Sequence, residues 1–221
     1  MSSALRLANQ LTAFGWTRLA SGATSLESIS QALLNAAKSL GNIAPGRTGA
    51  HVEAVVPEMV ETARPGSLSS HYGLNPLPLH TDTAHWTMPC RYLALACVRT
   101  GPSPTPTILL DSRKATLSAS ELMACRSAVF SIRNGRGSFY GMIAERGRPF
   151  IRLDPGCMTP LSSEGALALA AFDIERHGEA LEAHDWSVGD ILVFDNWRIL
   201  HARGYKAATE RGRVLLRAMV R

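Results

Sequence analysis

The sequence predicts a mainly β protein with flanking helices, whose core is a double-stranded β-helix, or jelly roll. From residue 51 onward, short apolar runs are separated by segments rich in Gly, Pro and Asn, as strands are separated by turns. Few helical patterns interrupt these runs, and strands and helices do not alternate regularly. A jelly roll, which buries one face of each strand and limits exposed edges, is therefore favoured over an open parallel sheet.

The first predicted element is an amphipathic helix in TSLESISQALLNAAKSLG, which begins with capping residues and ends at Gly41. Residues 1–50 are accordingly expected to form a helical segment packed on the core. The predicted strands are HVEAVV, RYLALACV, TPTILLD, AVFSIR, SFYGMIA, PFIRL, DILVFD, RILHAR and RVLLRAMV. A tight turn is expected at Asn134-Gly135, because this pair tolerates positive φ angles. The predicted helical interruptions are SASELMACRSA and SSEGALALAAFDIERHG.

Composition limits the classes of protein to consider. A chain of 221 residues fits one domain with a sizeable core, so residues 1–221 are expected to form a single domain. The net charge is +5, but the basic residues are scattered along the sequence, so no nucleic-acid partner is expected. The longest apolar runs are far shorter than the ~18 residues that a membrane-spanning helix needs. The four cysteines form no CxxC pair and are expected to be reduced and buried, so a cytoplasmic protein without a membrane partner is predicted. Homo-oligomers are compatible with the sequence, which does not define the oligomeric state.

A His-x-Asp pair at His80 and Asp82 is the first candidate for chemistry. On an extended segment, residues two apart point to the same side, so the two side chains can chelate one ion. A possible third ligand, His201, lies near the end of the strand in GDILVFDNWRILHAR, where the opposite sheet can present it. Two histidines and one carboxylate leave coordination positions open, as in non-haem Fe(II) oxygenases, and the same ligands also suit zinc.

Four motifs, in this order, resemble those of the Fe(II)/2-oxoglutarate-dependent oxygenases of the taurine dioxygenase type, which include relatives of clavaminate synthase and γ-butyrobetaine hydroxylase. The motifs are LHTDTAHW, PTPTILLD, GDILVFDNWRILHAR and RVLLR. The resemblance covers roughly residues 72–221. It implies a jelly roll that binds Fe(II), with 2-oxoglutarate and O2 as co-substrates.

The resemblance also implies roles for individual residues. His80, Asp82 and His201 match the iron ligands and catalytic residues of the family. Thr107 and Arg213 match the residues that hold the distal carboxylate of 2-oxoglutarate, and a guanidinium can bind a carboxylate through two parallel hydrogen bonds. The position of Arg217 contacts the substrate or the co-substrate in relatives. Candidate substrate contacts near the metal are Tyr72, Asn75, His85, Trp86 and Arg203.

The implied reaction is oxidation of an unactivated C–H bond of a small molecule, with release of succinate and CO2. Because Asp82 is present rather than Ala or Gly, hydroxylation, desaturation or cyclisation is expected rather than halogenation. Little of the sequence between the ligands remains for a lid, which predicts an open pocket for a bulky or carrier-bound substrate of specialised metabolism. Two alternatives remain at this point: a cupin-like metalloenzyme of other chemistry, and a non-enzymatic jelly roll that binds a ligand.

Overall fold

The computed structural model describes residues 3–102, 105–204 and 212–221. Its helices are α1 Ser3–Phe14, α2 Leu26–Lys38, α3 Ser69–Tyr72, α4 Ala119–Ser127 and α5 Ser163–Ala170, with 3-10 helices at Ser112–Lys114 and Ile174–Ala180. Its strands are β1 Trp16–Ala20, β2 Ile43–Ala44, β3 Glu53–Val55, β4 Tyr92–Arg99, β5 Thr107–Asp111, β6 Phe130–Asn134, β7 Gly137–Gly141, β8 Met158–Pro160, β9 Leu181–His184, β10 Asp190–Asp195, β11 Ile199–Arg203 and β12 Val214–Val220. Within these residues, no helix is long and apolar enough to cross a membrane.

The described strands form three antiparallel sheets. The large sheet has the order β1-β10-β4-β12-β2, with β3 also paired to β12, and the second sheet has the order β11-β5-β9. A third sheet, β7-β6-β8, is built around a hairpin whose turn lies one residue beyond the predicted Asn134-Gly135 pair. Asn134 pairs with Gly137, so the two-residue loop is Gly135-Arg136, and Gly135 has a positive φ of 62°. The arrangement is that of a jelly roll with helices on its outside.

Alternation along β4 shows how the layers form. Leu93, Leu95 and Cys97 point towards the second sheet and pack with residues such as Leu109 of β5. The alanines between them face the opposite way, against helices α1 and α2. Because successive strand residues face opposite sides, a nearly continuous apolar strand is buried on both faces.

Helix α2 begins where the sequence predicts and covers the outer face of the large sheet. Ser25 caps it, since its side-chain oxygen accepts a hydrogen bond from the Ser28 backbone N–H and Ser28 reciprocates. Ile29, Leu33 and Ala37 recur at helical spacing and are fully buried. Each large apolar side chain buried in this way contributes roughly 1.5–3 kcal/mol relative to exposure.

Two sequence-based expectations about elements were wrong. Residues 1–50 are not only helical, because β1 pairs with β10 and forms an edge of the large sheet. The PFIRL segment forms no regular strand, although Ile151 donates a backbone hydrogen bond to Trp197 and Arg152 donates one to Ile143. The SSEGAL helix ends at Ala170, and a separate 3-10 helix completes the segment.

Candidate active site

One cavity of about 720 Å³ collects most of the residues that the sequence singles out. The predicted site residues that line it are His80, Asp82, His85, Trp86, Thr107, His201, Arg203, Arg213 and Arg217. These side chains meet in one cavity because alternate residues of a strand point to the same face of its sheet. His201 on β11 pairs with Leu109, two residues after Thr107 on β5, and Arg217 lies between the inward-facing Leu215 and Met219 of β12. The cavity therefore opens from the space between the large sheet and the second sheet.

His80 and His201 are held side by side by the backbone. Each residue donates its N–H to the carbonyl of the other, with N–O distances of 2.9 and 3.0 Å. The ring centroids lie 4.1 Å apart with an interplanar angle of 43°. Nδ1 of His80 is 3.0 Å from the Pro78 carbonyl oxygen, an arrangement in which Nδ1 carries the proton and donates it. The lone pair is then on Nε2, the usual state of a metal-binding histidine.

The His201 ring is buried and electrically neutral. Burial, followed by the neighbouring His80, lowers the pKa of His201 well below its ordinary value. Its Nδ1 is buried and has no hydrogen-bond partner within the described residues. Because an unpartnered buried nitrogen costs free energy, a bound group that interacted with Nδ1 itself would remove an unfavourable contribution.

Asp82 is ionised and is paired with an arginine. Nη1 of Arg217 lies 3.1 Å from both carboxylate oxygens of Asp82, and Nη2 donates to Oε2 of Glu53 at 2.8 Å. Burial alone would raise the pKa of Asp82, but the charge of Arg217 lowers it well below its usual range. The pKa of Arg217 is raised, chiefly by the charge of Asp82. Nη1 and Nη2 are thus engaged, whereas the buried Nε has no partner among the described residues.

The donor set fits a divalent metal in its chemistry. It consists of a neutral imidazole at His201, an available Nε2 at His80 and an ionised carboxylate at Asp82, all lining one cavity. In the described residues, however, no group of three or more His, Cys, Asp or Glu side chains is arranged so that it could hold a metal ion. The contacts of Asp82 are consistent with this, because both carboxylate oxygens accept from Arg217.

Sequence reasoning missed Asn196, which fixes the backbone of Asp82. Its Oδ1 accepts from the Asp82 N–H at 2.9 Å, and its Nδ2 donates to the Asp82 carbonyl at 3.1 Å and to the Cys90 carbonyl at 2.8 Å. Only 1% of Asn196 is exposed. An asparagine is not a typical metal ligand, and the separation of 114 residues between Asn196 and Asp82 hid the contact.

The residue after Asp82 adopts an uncommon backbone conformation. Thr83 has a φ of 56°, the one positive value found outside glycine in the described chain. Its side-chain oxygen accepts from the Cys90 N–H at 2.8 Å, and its carbonyl accepts from the Trp86 N–H at 2.8 Å. These bonds hold a tight turn immediately after the His-x-Asp pair.

Arg152 secures the same loop from the other side, and sequence reasoning did not single it out. Only 2% of it is exposed, and its guanidinium donates to the carbonyls of Ala84, Trp86 and Thr87. Burial lowers the pKa of Arg152 to about 10. A buried guanidinium with carbonyl partners fixes the backbone of the segment that carries His85 and Trp86.

The two residues expected to bind 2-oxoglutarate also lie in the cavity wall. Thr107 is buried, and its hydroxyl accepts from Nε1 of Trp186 at 3.0 Å. Arg213 is buried as well, and its Nη1 donates to the Thr105 carbonyl at 3.0 Å. Both residues thus have defined positions in the wall of this cavity.

The expected substrate contacts are only partly brought together. Tyr72 and Asn75 are not among the residues that line the cavity. Arg203 lines it, but its guanidinium is bound to the carbonyls of Gly73 and Asn75, which gives it a structural role. His85 and Trp86 line it, and the Arg221 guanidinium lies 5.0 Å from the Trp86 ring.

A further part of the wall comes from before the metal-binding motif. Glu53–Val55 pairs with β12, and several residues in 56–69 also line the cavity. The expectation of an open pocket considered only the sequence between the ligands. The N-terminal half provides a wall that this reasoning missed.

Comparisons with known proteins agree with this architecture. The family model described as "Taurine catabolism dioxygenase TauD, TfdA family" matches residues 147–219, which include His201, Arg213 and Arg217. No curated protein sequence matches the chain.

Solved structures share the fold along nearly the whole chain. Asparagine oxygenase in complex with Fe(II), 2S,3S-3-hydroxyasparagine and succinate has a TM-score of 0.75 at 19% identity, covering 98% of this chain and 78% of that chain. OrfP in complex with Fe, succinate and (3S)-hydroxy-L-Arg has a TM-score of 0.71 at 19% identity, covering 98% and 78%. PvcB, described as an Fe, alpha-ketoglutarate dependent oxygenase from an isonitrile synthetic pathway, has a TM-score of 0.69 at 22% identity, covering 99% and 79%.

The shared fold confirms the jelly roll predicted from the sequence, and the family-model match confirms the resemblance to the taurine dioxygenase type. The family model matches the C-terminal third of the chain, and the solved structures show the shared fold.

Proposed function

We propose that this protein is an Fe(II)- and 2-oxoglutarate-dependent dioxygenase that oxidises an unactivated C–H bond of a small molecule and releases succinate and CO2. One observation carries the proposal. His80 and His201 are paired through their backbones beside Asp82, in the same cavity as Thr107 and Arg213. Neither a cupin-like hydrolase nor a non-enzymatic ligand-binding protein needs a carboxylate-binding pair beside such donors.

His80, Asp82 and His201 would hold the metal, which supplies O2 activation when it is bound with 2-oxoglutarate. Neighbouring residues set the protonation states of the two histidines and the backbone position of Asp82. The Pro78 carbonyl selects the Nε2 lone pair of His80, and burial keeps His201 neutral. Asn196 orients the Asp82 backbone from both its N–H and its carbonyl.

Arg213 and Thr107 would bind the distal carboxylate of 2-oxoglutarate. A guanidinium in a buried wall provides two parallel donors and a fixed charge, which orient the co-substrate as well as attract it. Trp186 donates to the Thr107 oxygen, so the hydroxyl proton of Thr107 remains available as a donor to a carboxylate.

Arg217 would contribute to co-substrate or substrate binding next to the metal. In the described arrangement it neutralises Asp82 and Glu53 together. Metal binding would share the Asp82 carboxylate between the ion and Arg217. The salt bridge with Glu53 would hold the Arg217 guanidinium in place while Asp82 also binds the metal.

The proposed substrate is a small molecule, either free or bulky and carrier-bound, that contacts His85 and Trp86. The proposed location of the enzyme is the cytoplasm. The cavity of about 720 Å³ lies within the range of roughly 300–1,000 Å³ that is usual for small-molecule sites. The compounds in complex with two of the similar structures, 2S,3S-3-hydroxyasparagine and (3S)-hydroxy-L-Arg, belong to those enzymes. They suggest amino acids as the first compounds to screen, free and carrier-bound.

The proposal is tested by succinate formation from 2-oxoglutarate with added Fe(II) and O2. We expect turnover that is abolished in His201→Ala and Asp82→Ala and retained in His71→Ala, an exposed histidine outside the cavity wall. Succinate formation that persists in His201→Ala would contradict the proposal. A protein that binds Zn(II) through these residues but forms no succinate in a broad substrate screen would favour the cupin-like alternative.

A further inference from the structure

Arginines that are scattered in the sequence converge around a second cavity of about 740 Å³. The arginines that line it are Arg113, Arg126, Arg146, Arg148 and Arg198, and Glu145 is the acidic residue among the lining residues. They come from the 3-10 helix after β5, the last turn of α4, the loop before β8 and the residue before β11. This cavity shares no lining residue with the candidate active site.

Two of these arginines have acidic partners. Arg198 forms a bidentate pair with Asp111, with Nε–Oδ1 and Nη2–Oδ2 distances of 3.1 and 2.6 Å. Nε of Arg148 lies 3.7 Å from the Glu145 carboxylate, and both side chains are substantially exposed. The first pair is structural, whereas the second is a weak surface contact.

The other three arginines form no salt bridge among the described residues, although the charge of Arg113 also acts on the carboxylates of Asp111 and Asp195. Arg113, Arg126 and Arg146 are exposed, and their guanidinium groups form no hydrogen bond or salt bridge within the part of the chain that the structure describes. Their guanidinium groups therefore remain available to donate to a bound anion.

Aromatic residues form part of the cavity wall. Phe150 and Trp197 have ring centroids 5.9 Å apart, and the Trp197 indole N–H donates to the Pro89 carbonyl at 3.0 Å. Charges of one sign beside low-dielectric walls concentrate the local field and raise the local concentration of counter-ions. The cavity lining thus combines aromatic side chains with cationic donors.

We propose that this second cavity binds a small ligand with two or more adjacent oxyanion groups, either phosphates or carboxylates. Guanidinium groups match both kinds of oxyanion, because their parallel N–H groups engage two oxygens at once. The spread of unpaired arginines over three separate elements requires a ligand with several charges rather than a single halide. The site is independent of the metal, of Arg213 and of the proposed reaction.

The test is calorimetric titration of the full chain with inorganic pyrophosphate, and in parallel with citrate. We expect saturable one-to-one binding of at least one of them that weakens as salt increases. Arg113→Gln, Arg126→Gln and Arg146→Gln are each expected to weaken it roughly tenfold, which corresponds to about 1.4 kcal/mol. Three separate variants keep the test usable if one of them misfolds, and thermal unfolding checks each.

Matched variants locate the binding. Arg6→Gln removes one exposed arginine from α1, outside both cavities, and is expected to leave the affinity unchanged. Arg213→Gln is expected to leave the pyrophosphate affinity unchanged, because Arg213 lies in the other cavity. Loss of binding in Arg213→Gln, unchanged affinity in the three cavity variants, or absence of saturable binding of both anions would overturn the proposal. Tighter binding of pyrophosphate than of citrate, or the reverse, identifies which oxyanion the site prefers.

Discussion

Asn196 provides a sharp test of how the fold prepares the metal ligands, through the substitution Asn196→Ala. The side chain makes three hydrogen bonds, to the N–H and carbonyl of Asp82 and to the Cys90 carbonyl, and it is 1% exposed. Each buried backbone group left without a partner costs roughly 1–3 kcal/mol. Three such groups give a loss of about 3 kcal/mol in the free energy of unfolding at the lower end of that range. We also expect Fe(II) affinity to fall by roughly 10–100-fold, as when the supporting partner of a metal ligand is removed.

The assay combines equilibrium urea unfolding with anaerobic Fe(II) titration. Asn35→Ala serves as the control, because Asn35 is exposed on α2 and its side chain accepts a hydrogen bond from Gln31, so its effect should stay within about 0.5 kcal/mol. Asn196→Asp keeps the size of the side chain but places a carboxylate oxygen against two carbonyls, and it should be destabilising too. An Asn196→Ala protein with unchanged unfolding free energy and unchanged Fe(II) affinity would refute the reasoning.

Three further predictions concern the co-substrate, the loop after Asp82 and pH. Arg213→Gln should raise the KM for 2-oxoglutarate by about 10-fold or more, because a charged hydrogen-bond donor is lost, and steady-state succinate assays would show it; an unchanged KM would contradict the assignment. Arg152→Met should lower the unfolding free energy by roughly 2 kcal/mol or more, since three carbonyls lose their donor, whereas the exposed Arg136→Met should not. Burial lowers the pKa of His184, so the unfolded chain binds more protons as pH falls below about 6.5 and stability should decline there. Thermal unfolding of His184→Gln across this range should show a shallower decline, and an identical pH profile would rule out that contribution.

The layered core could be predicted because strand and helix periodicities are local properties. The apolar runs that form β4, β10 and β12 are recognisable as strands from their own residues. Helix α2 is likewise recognisable from its apolar spacing and its Ser25 cap. Strand β1 was missed because Trp16–Ala20 is a short edge strand with mixed burial, and only pairing with β10 makes it a strand. The PFIRL segment shows the opposite case, because its composition is typical of a strand but it forms an irregular segment.

Sequence reasoning identified candidate-site residues whose side chains commonly bind metal ions. It missed residues whose role depends on the distant segment that they contact. His80, Asp82 and His201 have ligand side chains at informative spacings, and they do line one cavity. Asn196 and Arg152 are ordinary polar residues whose roles arise only when distant segments meet. Tyr72 and Asn75 were chosen for their nearness to His80 in sequence, but neither lines the cavity.

The second arginine-lined cavity could not be inferred from the sequence for a related reason. Its arginines are spread over residues 113–198 and no two are adjacent. Charge patterning along a chain detects runs, whereas this cluster forms only after β5, α4 and β11 have packed.

The most direct test of the central claim is anaerobic titration of the metal-free protein with Fe(II) and then with 2-oxoglutarate. The account predicts a weak visible charge-transfer band that appears only after both additions, is absent in His80→Ala and is diminished in Arg213→Gln. His71→Ala, which changes an exposed histidine, should retain it. Iron binding without this band, or a band that persists in His80→Ala, would contradict the assignment of this cavity as an Fe(II)/2-oxoglutarate site.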